Sequence, residues 1–153
     1  MRKLAVIDTN VVVSGAITTN ASSPTAWILD AMLKGGIMYL LSGELLAEYS
    51  AALCRPKILR RHQLCDSEIN AMLANIVLNS VWREPVSAAE APDAGDSHLW
   101  RLLAAEYGSI LVTGDKLLLD SPPTGHSVIS PRDYTASFHC HTIHEPAANN
   151  PQR

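Results

Sequence analysis

Two aspartates occupy positions where strands are predicted to end. Asp8 directly follows the apolar run "KLAVI", and Asp115 directly follows "ILVTG". Both runs have the length and the β-branched residues of buried strands. Ligands of open α/β sheets bind outside the carboxyl ends of the strands, so the two carboxylates are expected at one site. Either aspartate alone could instead cap a turn or a helix.

Glu48 and Asp96 extend this acidic set. On its predicted helix, Glu48 has only acidic or apolar residues one turn away, so no Lys or Arg is placed for a surface ion pair. Its face is partly apolar, which predicts that the side chain points toward the sheet. Asp96 stands where a later helix is predicted to begin, and capping that helix is its alternative role. Asp93, three residues earlier, could take either role.

Carboxylates gathered around one point need a compensating charge. Two like charges ~4 Å apart repel by about 4 kcal/mol at an effective dielectric constant near 20, so a cluster demands a cation or shared protons. The ligands are hard oxygens and no Cys or His is predicted beside them in the sheet, which favours Mg²⁺ or Mn²⁺ over zinc. Such an ion lowers the pKa of bound water and stabilises displacement at phosphorus. The acidic set therefore predicts metal-dependent phosphodiester hydrolysis without a protein nucleophile.

Strands and helices alternate along the chain that must position these residues. Ser23 and Pro24 predict the start of a helix, and Gly35 predicts its end. Ser42 predicts the cap of the helix that carries Glu48. Strands that are apolar throughout and separated by helices are typical of a parallel sheet covered on both faces. The predicted fold is therefore α/β with a mostly parallel sheet of about five strands: "KLAVI", "IMYLL", "SVWREPV", "SILVT" and "SVI".

Size and composition predict one intracellular domain. The chain has 153 residues, enough to bury roughly two thirds of the surface of the unfolded chain. Its formal net charge of −3 argues against a generally basic protein, although local basic patches can still bind phosphate. No segment reaches the ~20 apolar residues of a membrane span, and Asp8 interrupts the first apolar run before a signal-peptide core could form. We expect a soluble, cytoplasmic protein with no membrane partner.

The cysteines and the last residues add little chemistry. Cys54, Cys65 and Cys140 lack metal-binding or redox spacing and are expected to be reduced thiols, buried as small apolar side chains. Segment 139–153 has no periodicity and ends in Pro, Asn and Gln, so it is predicted to be disordered. The predicted organisation is one domain over residues 1–138 followed by this tail.

Four motifs resemble those of a known family: "VIDTNVVVSG", "LLAEYSAAL", "APDAGDSHLWRLLAAEYGSILVTGD" and "SVISPRDY". Together they look like a PIN-domain protein, in particular the small bacterial subgroup described as toxins of toxin–antitoxin systems. The similarity runs from Lys3 to about Phe138. It implies a three-layer α/β/α fold and a ribonuclease that cuts single-stranded RNA with Mg²⁺ or Mn²⁺. It also implies frequent homodimers and inhibition by a small antitoxin protein.

The resemblance assigns roles by motif. Many relatives carry a denser acidic run, whereas here Ala94 and Gly95 separate Asp93 from Asp96, and the helix register favours Asp96 as the ligand. The implied metal-binding and catalytic residues are Asp8, Glu48, Asp96 and Asp115. The accessory candidates are Asp93, Thr9, Asn10, Ser14 and Thr113.

A basic cluster is the candidate for substrate contact. The segment "RPKILRR" is predicted to be a connector, and a lysine directly follows Asp115. Contacts with the phosphate backbone would make affinity fall as salt rises, whereas a merely solvated connector would not. The candidate RNA-binding residues are Arg55, Lys57, Arg60, Arg61 and Lys116.

Two other functions fit part of the pattern. A phosphatase of the haloacid dehalogenase type also starts with a strand and an aspartate, and "GDKLLLD" could supply its later carboxylates. However, its general acid would be Asn10, which cannot deliver a proton in that role, and Glu48 and Asp96 would have no function. The second alternative is a non-catalytic, PIN-like binding module whose carboxylates are only caps.

Overall fold

The computed structural model describes residues 3–139, in which strands and helices alternate. The strands are β1 Ala5–Ile7, β2 Leu40–Leu41, β3 Val81–Trp82, β4 Ile110–Val112 and β5 Ser127–Ile129. The helices are α1 Thr9–Ile17, α2 Pro24–Lys34, α3 Gly43–Leu53, α4 Pro56–His62, α5 Asp66–Asn79, α6 Ser97–Ala104, α7 Lys116–Asp120 and α8 Pro131–His139. A 3-10 turn over Ala94–Asp96 leads into α6.

All strand pairs are parallel, as predicted. The main sheet has three strands in the order β1-β4-β5, with Ile7 opposite Val112 and Val112 opposite Ile129. The strands β2 and β3 pair with each other, and a single bridge between Ala5 and Tyr39 connects them to β1. The order across the molecule is therefore β3-β2-β1-β4-β5. The prediction of one sheet of about five strands overcounts the main sheet, because β2 and β3 are only two residues long.

The helix boundaries follow from local chemistry. The Ser23 hydroxyl accepts a hydrogen bond from the amide of Ala26, and Gly35 ends α2 in the left-handed region with φ of 74°. The Ser42 hydroxyl in turn accepts from the amide of Leu45 and caps α3. Helix α3 therefore begins immediately behind β2, which fixes the position of Glu48 relative to the sheet.

Helices cover both faces of the strands and give the three-layer α/β/α arrangement. Helix α6 packs against β1, β4 and α3, whereas α2 packs against α1, α5 and α8. The core between these layers includes all of β1 and both residues of β2, which are fully buried. None of the described helices has the length and apolar character needed to cross a membrane.

One segment folds differently from its sequence interpretation, and one helix forms against local propensity. The basic segment after α3 is helix α4 rather than a connector: Pro56 takes the first helical position, where its missing N–H costs nothing, and Gln63 ends the helix with φ of 57°. Helix α1 begins directly behind Asp8, although its three consecutive valines favour a strand by propensity. Packing against α2 and α3 overrides that weak preference.

The thiols are free, as predicted, but not buried. Cys54 and Cys65 are exposed, because both lie at the ends of surface helices. Of the predicted disordered segment 139–153, His139 ends helix α8, and Cys140 and all later residues lie outside the described residues.

Candidate active site

A cavity of about 370 Å³ opens at the carboxyl edge of the sheet. Strand order reverses between β1 and β4: the chain proceeds outward from β1 to β2 and β3, and then returns to the other side for β4 and β5. Such a reversal is where ligands bind in open parallel sheets. The lining residues are Asp8, Thr9, Asn10, Val13, Ser14, Ile17, Glu48, Ala52, Arg55, Asp96 and Asp115.

Asp8 is held at the floor of this cavity by the neighbouring strand. Its backbone amide donates to the carbonyl of Val112 at 3.0 Å, and its Oδ2 accepts from the Thr113 hydroxyl at 2.7 Å. The residue is 5% exposed, and its side chain makes no capping bond to α1. Burial raises the pKa of Asp8, the hydrogen bonds from Thr113 and the Thr9 backbone lower it, and the charges of Glu48 and Asp115 raise it further. The alternative role of Asp8 as a helix cap is therefore not observed.

Thr113 links the two strand ends. Its hydroxyl donates to Asp8 and accepts from the backbone amide of Asp115 at 3.0 Å, and the side-chain amide of Asn10 approaches the same oxygen at 3.5 Å. Thr113 itself is fully buried and lies beneath the cavity rather than on its wall. One hydroxyl thus links the carboxylate of Asp8 to the backbone of Asp115.

Asp115 has two roles. Its Oδ1 accepts from the amide of Leu117 at 3.0 Å and caps α7, while the residue also lines the cavity. Asp115 can cap α7 and face the cavity at the same time, because a carboxylate has two oxygens and several acceptor positions.

Asp96, and not Asp93, lines the cavity. Asp93 accepts from the amide of Gly95 at 2.9 Å and so caps the 3-10 turn. Asp96 precedes α6 but makes no side-chain capping bond. Burial, then the charges of Asp8, Asp93, Asp115 and Glu48, raise the pKa of Asp96 to about 6. The carboxylates therefore act on one another electrostatically.

Glu48 has a basic partner that the sequence interpretation missed. Nε2 of His98, on α6, lies 2.6 Å from Oε2 of Glu48. The N–H direction is outside hydrogen-bond geometry, and neither ring nitrogen of His98 has a hydrogen-bond partner. The partner comes from another helix, so no i,i+3 or i,i+4 pattern could reveal it. The only sequence signal was the position of His98, two residues after Asp96.

The remaining accessory candidates are spread around the cavity. Thr9, Asn10 and Ser14 line it from α1. The Thr9 hydroxyl is buried without a hydrogen-bond partner, and the Ser14 hydroxyl lies 3.2 Å from that of Thr25. Fully buried Tyr49 of α3 donates its hydroxyl to the carbonyl of Ile7, which fixes the helix of Glu48 on the strand that leads to Asp8.

Only Arg55 of the basic cluster lines the cavity. It precedes α4, whose packing against α1 and α3 places the helix beside the cavity. All five candidate cations are exposed, and none of them forms an ion pair within residues 3–139. The other four are Lys57, Arg60, Arg61 and, at the start of α7, Lys116.

The chemical types of the donors at the cavity fit a hard divalent cation. Four carboxylates surround one cavity, two of them with a raised pKa, and the buried hydroxyl of Thr9 lacks a partner. Oxygen ligands of this kind suit Mg²⁺ or Mn²⁺. Within the described part of the chain, however, no three His, Cys, Asp or Glu side chains are arranged so that they could hold a metal ion together.

These features define a parallel α/β protein with an acidic cavity at the reversal of strand order. The family model described as "PIN domain" matches residues 4–117, which are 114 of the 153 residues, and the chain belongs to the PIN-domain family. PIN domains are in general nucleases, and they typically bind divalent metals. Comparisons with curated proteins and with solved structures found no match. The predicted family is thus confirmed, while its toxin subgroup stays a prediction.

Proposed function

We propose that this protein is a ribonuclease that hydrolyses phosphodiester bonds of single-stranded RNA with Mg²⁺ or Mn²⁺ as cofactor. The observation that carries the proposal is the convergence of Asp8, Glu48, Asp96 and Asp115 on one cavity at the strand reversal. Membership of a family of nucleases supports the reaction class. The oxygen-only donor set of the cavity supports the choice of metal.

The chain's own contribution is to hold carboxylates that repel one another. When bound, a divalent cation supplies charge stabilisation for an in-line displacement at phosphorus and lowers the pKa of water. Asp8 and Asp115 are fixed through Thr113, and Asp96 is fixed by the turn that begins α6. Such preorganisation avoids the cost of gathering like charges during the reaction.

Asn10 is placed to orient the substrate. It lines the cavity, and its side-chain hydrogen bonds to the hydroxyl of Thr113 and from the amide of Gly114 are both long, at 3.5 Å. The amide side chain can therefore exchange them for a phosphate oxygen at little cost. In a phosphatase of the haloacid dehalogenase type, the general acid would lie at the position of Asn10. Asparagine cannot deliver a proton in that role, so Asn10 disfavours the phosphatase function.

Helix α4 supports RNA as the substrate. Arg55 lies at the cavity, and Lys57, Arg60 and Arg61 continue away from it along an exposed helix without ion pairs among the described residues. Cations free of acidic partners can neutralise phosphates along a strand whose scissile bond lies at the carboxylates. Lys116, which follows Asp115 at the start of α7, is a further candidate for contact with the RNA backbone.

We also propose a biological setting on the basis of the motif resemblance. In that setting the protein is the toxin of a toxin–antitoxin system in the cytoplasm, forms a homodimer and is inhibited by a small antitoxin protein. Induced expression in a bacterial host should arrest growth, and Asp8→Asn should not. Light scattering of the purified protein should give twice the monomer mass of 16.6 kDa. Growth that is unaffected by the wild type would contradict the toxin role.

RNA cleavage tests the catalytic proposal. Purified protein should cut single-stranded RNA from a mixed set in Mg²⁺ or Mn²⁺ and should lose activity in excess EDTA. Asp8→Asn should lower the rate by more than about 100-fold. The variant still accepts the hydrogen bond from Thr113, so it should keep the fold. Cleavage that persists in EDTA, or that Asp8→Asn leaves unchanged, would refute the metallonuclease.

A further inference from the structure

His98 is a buried titratable side chain to which the proposed reaction assigns no role. The residue is 6% exposed and lies on α6 where this helix packs against α3. Neither ring nitrogen has a hydrogen-bond partner, yet Nε2 lies 2.6 Å from Oε2 of Glu48. A buried polar ring is costly unless it is paired, and the Glu48 carboxylate is the acidic group that the structure places against it.

The contact belongs to a seam between two helices. Glu44 and Glu48 lie one turn apart on α3, and they face Arg101 and His98 on α6. The Glu44–Arg101 pair is exposed and 3.4 Å apart, so it contributes little to stability. The Glu48–His98 pair lies deeper, with 7% of the His98 side chain and 33% of the Glu48 side chain exposed. Only the deeper pair includes a residue that lines the acidic cavity.

The position of His98 in the chain connects two sides of the cavity. His98 follows Asp96 by two residues. Helix α6 therefore begins directly after Asp96 and contacts Glu48 through His98. Glu48 is electrostatically coupled to Asp8 and Asp96, and their repulsion would drive a long, free glutamate side chain toward solvent. A ring held against one oxygen of Glu48 opposes that displacement and restricts the rotamers of the side chain.

We propose that His98 is a positioning residue that holds the Glu48 carboxylate at the cavity, where it faces Asp8 and Asp96 as a ligand of the divalent cation. This inference rests on the proposed function. His98 does not touch the cation or the RNA; it acts through Glu48 alone. Residues that orient a metal ligand in this way change metal affinity or activity by about 10–100-fold when they are lost.

A pair of amide substitutions tests the role. In His98→Gln the amide nitrogen can reach Glu48 as Nε2 of histidine does, whereas the side chain of His98→Asn is one carbon too short. Both variants keep a polar, neutral group in the buried position, so they differ mainly in reach. Arg101→Gln is the matched control, because it breaks the exposed pair of the same seam without affecting Glu48.

The readout is Mn²⁺ affinity, measured by titration followed by electron paramagnetic resonance in the absence of RNA. His98→Asn should weaken binding by about 10–100-fold, His98→Gln should restore it to within about threefold of wild type, and Arg101→Gln should leave it unchanged. In a Glu48→Gln background, His98→Asn should cause no further loss, because residues that act through one another are not additive. His98→Leu, which keeps the volume, replaces the asparagine variant in the same cycle if that variant does not fold.

Two results would overturn the role of His98. Wild-type affinity in His98→Asn would show that Glu48 needs no partner, and an equal loss in the Glu48→Gln background would show that His98 acts independently of Glu48. Failure of the proposed function has a different signature, since the wild-type protein itself would then bind no Mn²⁺.

Discussion

At the scale of single residues, the site holds carboxylates close together although their negative charges repel one another. Asp8 is nearly buried, and Asp96 is influenced by all three of the other acidic residues of the cavity. Both have a raised pKa, so the metal-free protein is less stable when they are ionised. Strain of this kind is found where function, rather than stability, determines residue type.

Asp96→Asn should therefore stabilise the metal-free protein above neutral pH. Burial is the first cause that raises the pKa of Asp96 from its ordinary 3.8 to about 6. A carboxyl with a raised folded-state pKa binds its proton more tightly in the folded protein, so stability falls as pH rises from about 4 to about 6. We expect the Tm of the variant in EDTA to exceed that of wild type by about 2–4 °C at pH 7.5, and the difference to vanish near pH 4.

Asp133→Asn, at an exposed position of α8, is the matched control and should not raise Tm. A variant of Asp96 that is no more stable than wild type at pH 7.5, or whose advantage grows as pH falls, would contradict the coupling of the carboxylates.

Thr113→Val tests the link between the strand ends. The substitution keeps the side-chain volume and removes the hydroxyl that serves Asp8 and the amide of Asp115. We expect the free energy of unfolding in urea to fall by about 1–3 kcal/mol, because the buried Asp8 carboxylate and the part-buried Asp115 amide each lose a hydrogen bond. Thr113→Ser keeps the hydroxyl and should recover most of the loss. Equal stability of the valine and serine variants would mean that the hydroxyl is dispensable.

At the scale of elements, helices bring separate stretches of sequence to one edge. Helix α1 starts behind β1, α7 starts soon after β4, and α3 is fixed to β1 by the hydroxyl of Tyr49. Helix α4 packs beside the acidic cavity and carries exposed basic side chains. Carboxylates and cations thus occupy neighbouring elements, as cleavage and binding of a polyanion require.

The basic helix should determine the salt dependence of RNA binding. The double variant Arg60→Ala with Arg61→Ala removes two exposed cations of α4. If each contacts one phosphate, the slope of log K against log salt should become shallower by about 1.4. Fluorescence anisotropy with labelled single-stranded RNA, in EDTA to prevent cleavage, measures the slope.

Lys3→Ala with Lys34→Ala is the charge-matched control. Lys3 precedes β1 and Lys34 ends α2, so these two exposed lysines lie away from α4. The control should leave the slope unchanged. An unchanged slope in the α4 variant would remove this helix from the RNA interface.

At the scale of the whole molecule, one reversal of strand order brings the acidic residues of the cavity together. The order β3-β2-β1-β4-β5 places the ends of β1 and β4 side by side, which is why Asp8 and Asp115 meet although 107 positions separate them. The shared position of the two aspartates could be predicted from the sequence, because apolar strands alternate with helices and each aspartate follows an apolar strand. Ser23 and Gly35 likewise predicted the start and the end of α2, and Ser42 predicted the start of α3.

Other features could not be predicted because tertiary contacts decide them. The three valines of α1 favour a strand locally, and α4 and α7 are too short to show helical periodicity. His98 reaches Glu48 across two helices that are far apart in sequence. A local pattern contains no information about such a contact. By contrast, the helix register already favoured Asp96 over Asp93, and the structure adds that Asp93 caps the 3-10 turn whereas Asp96 lines the cavity.

A titration of the purified protein with Mn²⁺ measures whether the acidic cavity binds a divalent cation. Electron paramagnetic resonance should show Mn²⁺ bound to the wild type, with affinity lost by more than about 100-fold in Asp8→Asn and in Glu48→Gln. Asp133→Asn, away from the cavity, should bind as the wild type does. Absence of binding to the wild type, or equal binding to all four proteins, would rule out a cation site at this cavity.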